Sequence, residues 1–173
     1  INRGVWKDLS SKWPQGYWDD WLREPAQQRG REILRPEVCR TYHFATKGVS
    51  NNQYSDFLTQ IKLNKDPIPW RQLDLSYLKR PRYNQELKTA LSNAPLVSAA
   101  DAKLGRFPEG TGPVRVEYGS VSRFEATARR LGIMDNIKAG VPRCAYHGVI
   151  SVRLGPRKRL VHVTLPLQSI DLS

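Results

Sequence analysis

Val114-Arg115-Val116-Glu117-Tyr118, followed by Ser122-Arg123-Phe124-Glu125-Ala126-Thr127-Ala128-Arg129-Arg130-Leu131-Gly132, decides the fold class of this chain. In the first stretch Val114, Val116 and Tyr118 alternate with Arg115 and Glu117, the period of a half-buried strand. In the second the period lengthens to that of a helix, with Phe124, Ala128 and Leu131 on one stripe. Ser122 is placed to cap that helix, and Glu125 can reach back to the Ser122 amide as a capping box. Gly132 suits the left-handed C-terminal cap. A strand feeding a capped helix predicts an α+β unit.

The pattern continues on both sides. Downstream, Ile150, Val152 and Leu154 alternate as far as a turn at Gly155-Pro156, and Val161, Val163 and Leu165 alternate on the way back. This predicts a β-hairpin with Arg157-Lys158-Arg159 at its tip. Upstream, Tyr83, Leu87, Ala90 and Leu91 fall on one helical face. Residues 81–173 therefore read as one small α+β domain. Residues 46–80 carry loop signals at Gly48, Ser50, Asn51 and Asn52, then Pro67 and Pro69. They end in the compact apolar segment Leu73-Asp74-Leu75-Ser76-Tyr77-Leu78, a linker by composition. Residues 1–45 are rich in Trp and Arg without a clear period.

Composition narrows the class. The 173 residues are 39% hydrophobic and include five Trp and seven Tyr, enough for a folded core and unlike a disordered tail. No run approaches the roughly 18 apolar residues of a membrane span. The start, Ile1-Asn2-Arg3-Gly4-Val5-Trp6, has neither an initiator Met nor an apolar leader. The chain is thus expected to be a piece of a longer protein, with any anchor or targeting signal upstream. Lys and Arg number 28 against 16 acids, for a net charge of +12 and a pI of about 10.0. The basic residues are spread along the chain, so a phosphate-bearing small substrate fits at least as well as a nucleic acid, and no nucleic-acid partner is expected. Cys39, Cys144, His43, His147 and His162 show no metal-ligand or disulfide spacing, and no metal site is expected in this chain.

The segment that could do chemistry is Trp13-Pro14-Gln15-Gly16-Tyr17-Trp18-Asp19-Asp20-Trp21. Aromatic faces suit the C–H faces of sugars, and Trp and Tyr add a polar edge. A carboxylate against rings is partly desolvated and beside a like charge, and both effects favour taking up a proton. A sugar hydroxyl needs a base as it attacks, and a placed carboxylate supplies one. The residues alone equally allow a structural reading: two acids in the first turn of a helix running from about Asp19 to Ala26, with Trp18 and Trp21 as core. Lys47-Gly48-Val49-Ser50 could close on a phosphate, or be a plain turn. Arg29, Arg31, Arg35 and Arg40 could meet anions, or pair with Glu24, Glu32 and Glu37.

A run of motifs goes further. Trp18-Asp19-Asp20-Trp21-Leu22-Arg23, Arg29-Gly30-Arg31, Arg35-Pro36-Glu37-Val38 and Arg40-Thr41 occur in that order. Lys47-Gly48-Val49-Ser50, Ile61-Lys62-Leu63-Asn64, Leu73-Asp74-Leu75-Ser76-Tyr77-Leu78 and Gly140-Val141-Pro142-Arg143 follow. Together they resemble the N-acetylglucosaminyltransferase I family, its plant-like members above all. The resemblance covers nearly the whole chain and is weakest over 79–113.

The resemblance implies an inverting glycosyltransferase of two domains. Residues 1–45 would be the C-terminal end of a GT-A (Rossmann-like) catalytic domain, 46–80 a donor-covering loop and linker, and 81–173 a small α+β C-terminal domain. It implies UDP-N-acetylglucosamine as donor. The acceptor would be the 2-hydroxyl of the α1,3-linked mannose of a high-mannose N-glycan on a glycoprotein. Mn²⁺ would sit on the UDP diphosphate, held by an upstream acidic motif absent from this chain. Residue by residue, Asp19 matches the general base and Trp18 a residue lining the N-acetylglucosamine site. Val49 and Ser50 match a loop that orders over the donor, while Asp20 and Arg31 take supporting roles. The full-length protein would be held in the Golgi membrane by an upstream anchor, facing the lumen. The isolated 173 residues are expected to be inactive. Two rivals remain in view: the related transferase acting on O-linked mannose, and a non-enzymatic basic module that binds nucleic acid.

Overall fold

The computed structural model describes residues 2–34, 40–41, 63, 65–110, 112–138, 140–143 and 145–173. Two compact units are present, one formed by Ile1–Glu24 with Asp74–Ser173 and one by Pro25–Leu73.

In the first unit the order is α1 (Arg3–Leu9), α2 (Trp18–Trp21), then α4 (Arg80–Asn93), α5 (Ala99–Leu104), β1 (Val114–Glu117), α6 (Val121–Leu131), β2 (Ile137–Lys138), β3 (Val141–Pro142), β4 (Val149–Leu154) and β5 (Arg159–Thr164). Among its described residues the second unit contains α3 (Pro25–Gln28) and a 3₁₀ turn at Trp70–Gln72. Arg29 and Gly30 both take positive φ and end α3, with the Arg29 N–H bonded to the Pro25 carbonyl at 3.0 Å.

The strand expected at Val114 forms, and the alternation is visible in its burial: Val114 and Val116 are lost from solvent, Arg115 and Glu117 are half-buried. The hairpin also forms, with Ile150 opposite Val163 and Val152 opposite Val161. The sheet order is β1-β5-β4, and β1 runs parallel to β5 with Val114 opposite Val161. Its core face carries Val114, Val116, Ile150, Val161 and Val163, covered by Ala102 of α5 and by Phe124, Ala128 and Leu131 of α6. The opposite pleat is covered at Val149 by Leu87 and Leu91 of α4 and by Leu167, Ile170 and Leu172. The unit is therefore a mixed sheet between two helical layers, which bears out the α+β expectation for this part of the chain.

One detail of α6 differs from expectation. The helix starts at Val121, its N-cap is Ser120, and no side chain caps it. Ser122 lies inside the first turn, with its hydroxyl 3.0 Å from that of Ser120. Glu125 is then two residues too far along to reach the cap, and it meets Arg129 four residues on, at 3.2 Å. A box anchored at Ser120 would need an acid or amide at position 123, where Arg123 stands. The C-terminal end is as expected: Gly132 has φ +74, and the Gly132 and Ile133 N–H groups bond to the carbonyls of Arg129 and Ala128.

On the α4 side of the sheet His162 is 4% exposed. Its Nδ1 lies 2.9 Å from the Ser151 hydroxyl, and burial pushes its pKa below the usual histidine value. Tyr118 donates to the Gly148 carbonyl at 2.9 Å, and burial raises its pKa to about 12.

Candidate functional site

The Trp-rich segment folds around one ring. Asn2 caps α1 by accepting the Val5 N–H at 2.9 Å, and α1 passes into a 3₁₀ turn at Ser10–Lys12. That turn delivers Trp13 into the middle of three other indoles. Its centroid lies 5.3 Å from Trp6, 6.1 Å from Trp18 in a stacked pair, and 5.5 Å from Trp21 edge-on. All three separations fall in the range where aromatic pairs attract beyond simple burial. The box expected from the sequence is thus real, with Trp13 as its hub. Trp18 keeps an open face, being 53% exposed.

Asp19 and Asp20 lie in the first turn of α2. The acids are therefore where the helix dipole favours them, but the helix expected from Asp19 to Ala26 is broken. Helix α2 is a single turn entered from Tyr17 in a left-handed conformation (φ 53), and it stops at Trp21. Pro25 starts a separate turn because it lacks an N–H and biases Glu24 out of helical geometry.

The two acids part company. Asp20 Oδ1 lies 3.7 Å from Nη1 of Arg23, three residues ahead on the same turn. Asp19 Oδ2 lies 3.7 Å from Nη2 of Arg143, far along the chain. The Asp19 side chain is 52% exposed and that of Arg143 only 22%. The rings therefore do not desolvate Asp19 within this chain, contrary to the expectation. Each acid also faces its own guanidinium, which offsets the repulsion expected between neighbours.

Arg143 is the residue that sequence reasoning missed as part of the site. It was visible only as the last member of Gly140-Val141-Pro142-Arg143. Its backbone is held by a two-stranded hairpin in which Ile137 pairs with Pro142 and Lys138 with Val141. Gly140, at φ +76, supplies the left-handed turn residue. The Arg143 N–H donates to the Asn136 carbonyl at 2.8 Å, and the Ala145 N–H to the Pro142 carbonyl at 3.1 Å.

Arg31 belongs to the Pro25–Leu73 unit, where its N–H bonds to the Gln28 carbonyl at 2.8 Å. Val49 and Ser50 lie outside the described residues, as do Cys39, His43 and Cys144. Among the described residues no three His, Cys, Asp or Glu converge on a metal-sized space, and no helix is long and apolar enough to cross a membrane.

An exposed carboxylate with an arginine partner can accept a proton from a substrate hydroxyl. Comparison with known proteins places the chain in a family. The sequence model of the GNT-I family matches residues 1–171. An alpha-1,3-mannosyl-glycoprotein 2-beta-N-acetylglucosaminyltransferase of Arabidopsis thaliana is 38% identical over 161 residues, which is 92% of this chain and 36% of that protein.

Proposed function

The chain belongs to the GNT-I family, and we propose that the protein carrying it is an inverting glycosyltransferase. It would move N-acetylglucosamine from UDP-N-acetylglucosamine in β1,2 linkage to the α1,3-mannose of high-mannose N-glycans. The chain spans about a third of the length of the curated relative it matches (36%), so the activity is assigned to the longer protein. The observation that carries the reading is Asp19: an accessible carboxylate on a one-turn helix, next in sequence to the half-exposed Trp18 and faced by Arg143.

In this reading Asp19 takes the proton of the acceptor 2-hydroxyl as its oxygen attacks the anomeric carbon of the donor. Attack from the face opposite UDP inverts the centre, and UDP leaves with the bonding pair. Base catalysis of this kind contributes on the order of a hundredfold or more. Trp18 presents its open ring to the sugar. Val49 and Ser50 belong to a loop closing over the donor, which limits hydrolysis. Asp20 and Arg31 support the site. Residues 1–45 are proposed as the end of a GT-A (Rossmann-like) domain, 46–80 as the donor-covering linker and 81–173 as the second domain. Mn²⁺, implied by the resemblance, would be held by an upstream acidic motif; among the described residues no His, Cys, Asp or Glu set fits it. Golgi placement through an upstream anchor rests on the resemblance alone.

The test is transfer by the full-length protein from UDP-N-acetylglucosamine to a five-mannose N-glycan, compared with an O-mannosyl peptide. Turnover is expected on the N-glycan only, and Asp19→Asn should lower kcat at least about a hundredfold. Folding should change little in that variant, because exposed ion pairs contribute about 0–1 kcal/mol. Near-normal turnover by Asp19→Asn would overturn the assignment of the base.

A further inference from the structure

Asp19 sits on a single helical turn, and one turn is a poor platform for a group that must be aimed. Helices this short gain little from their own hydrogen bonds. Only Trp21, Leu22, Arg23 and Glu24 return backbone bonds to the carbonyls of residues 17–21. The Asp19 side chain is half open, so its rotamers are not locked by packing. The neighbouring acid does not help: Asp20 is turned to Arg23.

Arg143 supplies what the turn lacks. Its guanidinium is mostly buried and lies 3.7 Å from one Asp19 oxygen. Its backbone is pinned on both sides, through the Asn136 carbonyl and through the bond between Ala145 and Pro142. Ile137 and Ala145, on either flank of this hairpin, pack against the main hydrophobic core. The guanidinium is thus referred to the sheet and its core, while the carboxylate is carried on a single helical turn. A guanidinium stays charged at every physiological pH, and its planar fork can direct a carboxylate as a point charge cannot. At 3.7 Å the contact is an ion pair and not yet a hydrogen bond, so it restrains the acid without occupying the oxygen that must take a proton.

We propose that Arg143 is a positioning residue for the reaction, aiming the Asp19 carboxylate from the β2–β3 hairpin. The proposal rests on Asp19 being the base. Misplacing a reacting group by about 1 Å can cost on the order of a hundredfold in rate, so the effect falls on kcat.

The experiment uses the full-length protein with UDP-N-acetylglucosamine and a five-mannose N-glycan, and the variants Arg143→Met, Arg143→Lys and Asp19→Asn. Arg143→Met should lower kcat about tenfold to a hundredfold, with KM for the donor and the unfolding temperature nearly unchanged. Arg143→Lys should restore part of the loss, because it returns the charge without the fork. Arg143→Met with unaltered kcat, alongside an inactive Asp19→Asn, would overturn the positioning role and leave the base in place. An active Asp19→Asn would remove the base reading itself. A fall in kcat matched by an equal loss of thermal stability in both Arg143 variants would make the pair purely structural and overturn the proposal.

Discussion

Residues 2–24 and the sheet around β5 belong to one compact unit, yet they are built differently. Four of the five tryptophans lie between Trp6 and Trp21, and they touch chiefly one another through Trp13. Trp6 and Trp18 remain about half exposed. The largest fully buried side chains, Leu9 apart, all lie between Leu91 and Thr164. One region thus leaves indole surface open, and the other buries the side chains of a central core. Stability is concentrated in the closed region because aliphatic burial scales with area lost from water. An open aromatic face with an accessible acid is what sugar chemistry requires. The Arg143–Asp19 pair is where the closed region reaches the open one.

Substitutions should separate the two. The largest effect is expected for Phe124→Ala, which empties the centre of the main core, where Phe124 is 0% exposed and edge-on to Tyr118. A loss of about 3–5 kcal/mol is expected, read as a shift of the urea midpoint with unchanged slope, and any activity should fall with the folded fraction.

Trp13→Ala comes next. It deletes three ring pairs, each contributing about 0.5–1.5 kcal/mol, so a loss of about 2 kcal/mol is expected. Amide exchange in β1, β4 and β5 should stay protected while tryptophan fluorescence changes. Loss of protection throughout the sheet would show that the two regions are not energetically distinct.

The smallest effect concerns His162, which belongs to the closed region alone. Burial lowers its pKa in the folded chain below the ordinary 6.5. Below 6.5 the unfolded chain therefore binds more protons than the folded one, and stability rises with pH. His162 should contribute its full share above pH 6.5 and lose it as pH falls through 6.5 toward the lower folded value. The groups facing it are the Ser151 hydroxyl and, across the ladder, Arg115, which is itself paired with the Glu117 carboxylate. Urea midpoints at pH 7.5 and 5.5 should differ less in His162→Gln than in the parent. An equal difference in both would remove His162 as the cause.

Much of the closed region was legible because its signals are local. Phe124, Ala128 and Leu131 return to one side of a helix every three or four residues. Ile150 and Val152 face one side of a strand because the pleat has period two. The start of α6 was misplaced by competition between two serines, since Ser120 and Ser122 are both good caps and only the path of the chain from β1 chooses between them. The open region was legible as composition, an aromatic box around two acids, and the family resemblance singled out Asp19. That Trp13 is the hub could not be read from spacing, because the segment has no regular period.

The sequence by itself determined the strand at Val114, the helices around Leu87 and Phe124, the hairpin from Ile150 to Leu165 and their inward faces, and that the chain belongs with the GNT-I family. Tertiary structure alone decided that β5 lies between β1 and β4 and runs parallel to β1. It alone distributed the two acids, Asp20 to its neighbour Arg23 and Asp19 to Arg143. The physical reason is range: backbone periodicity writes burial into neighbouring residues, whereas a pair of charges brought together from opposite ends of the chain depends on the path of everything between them.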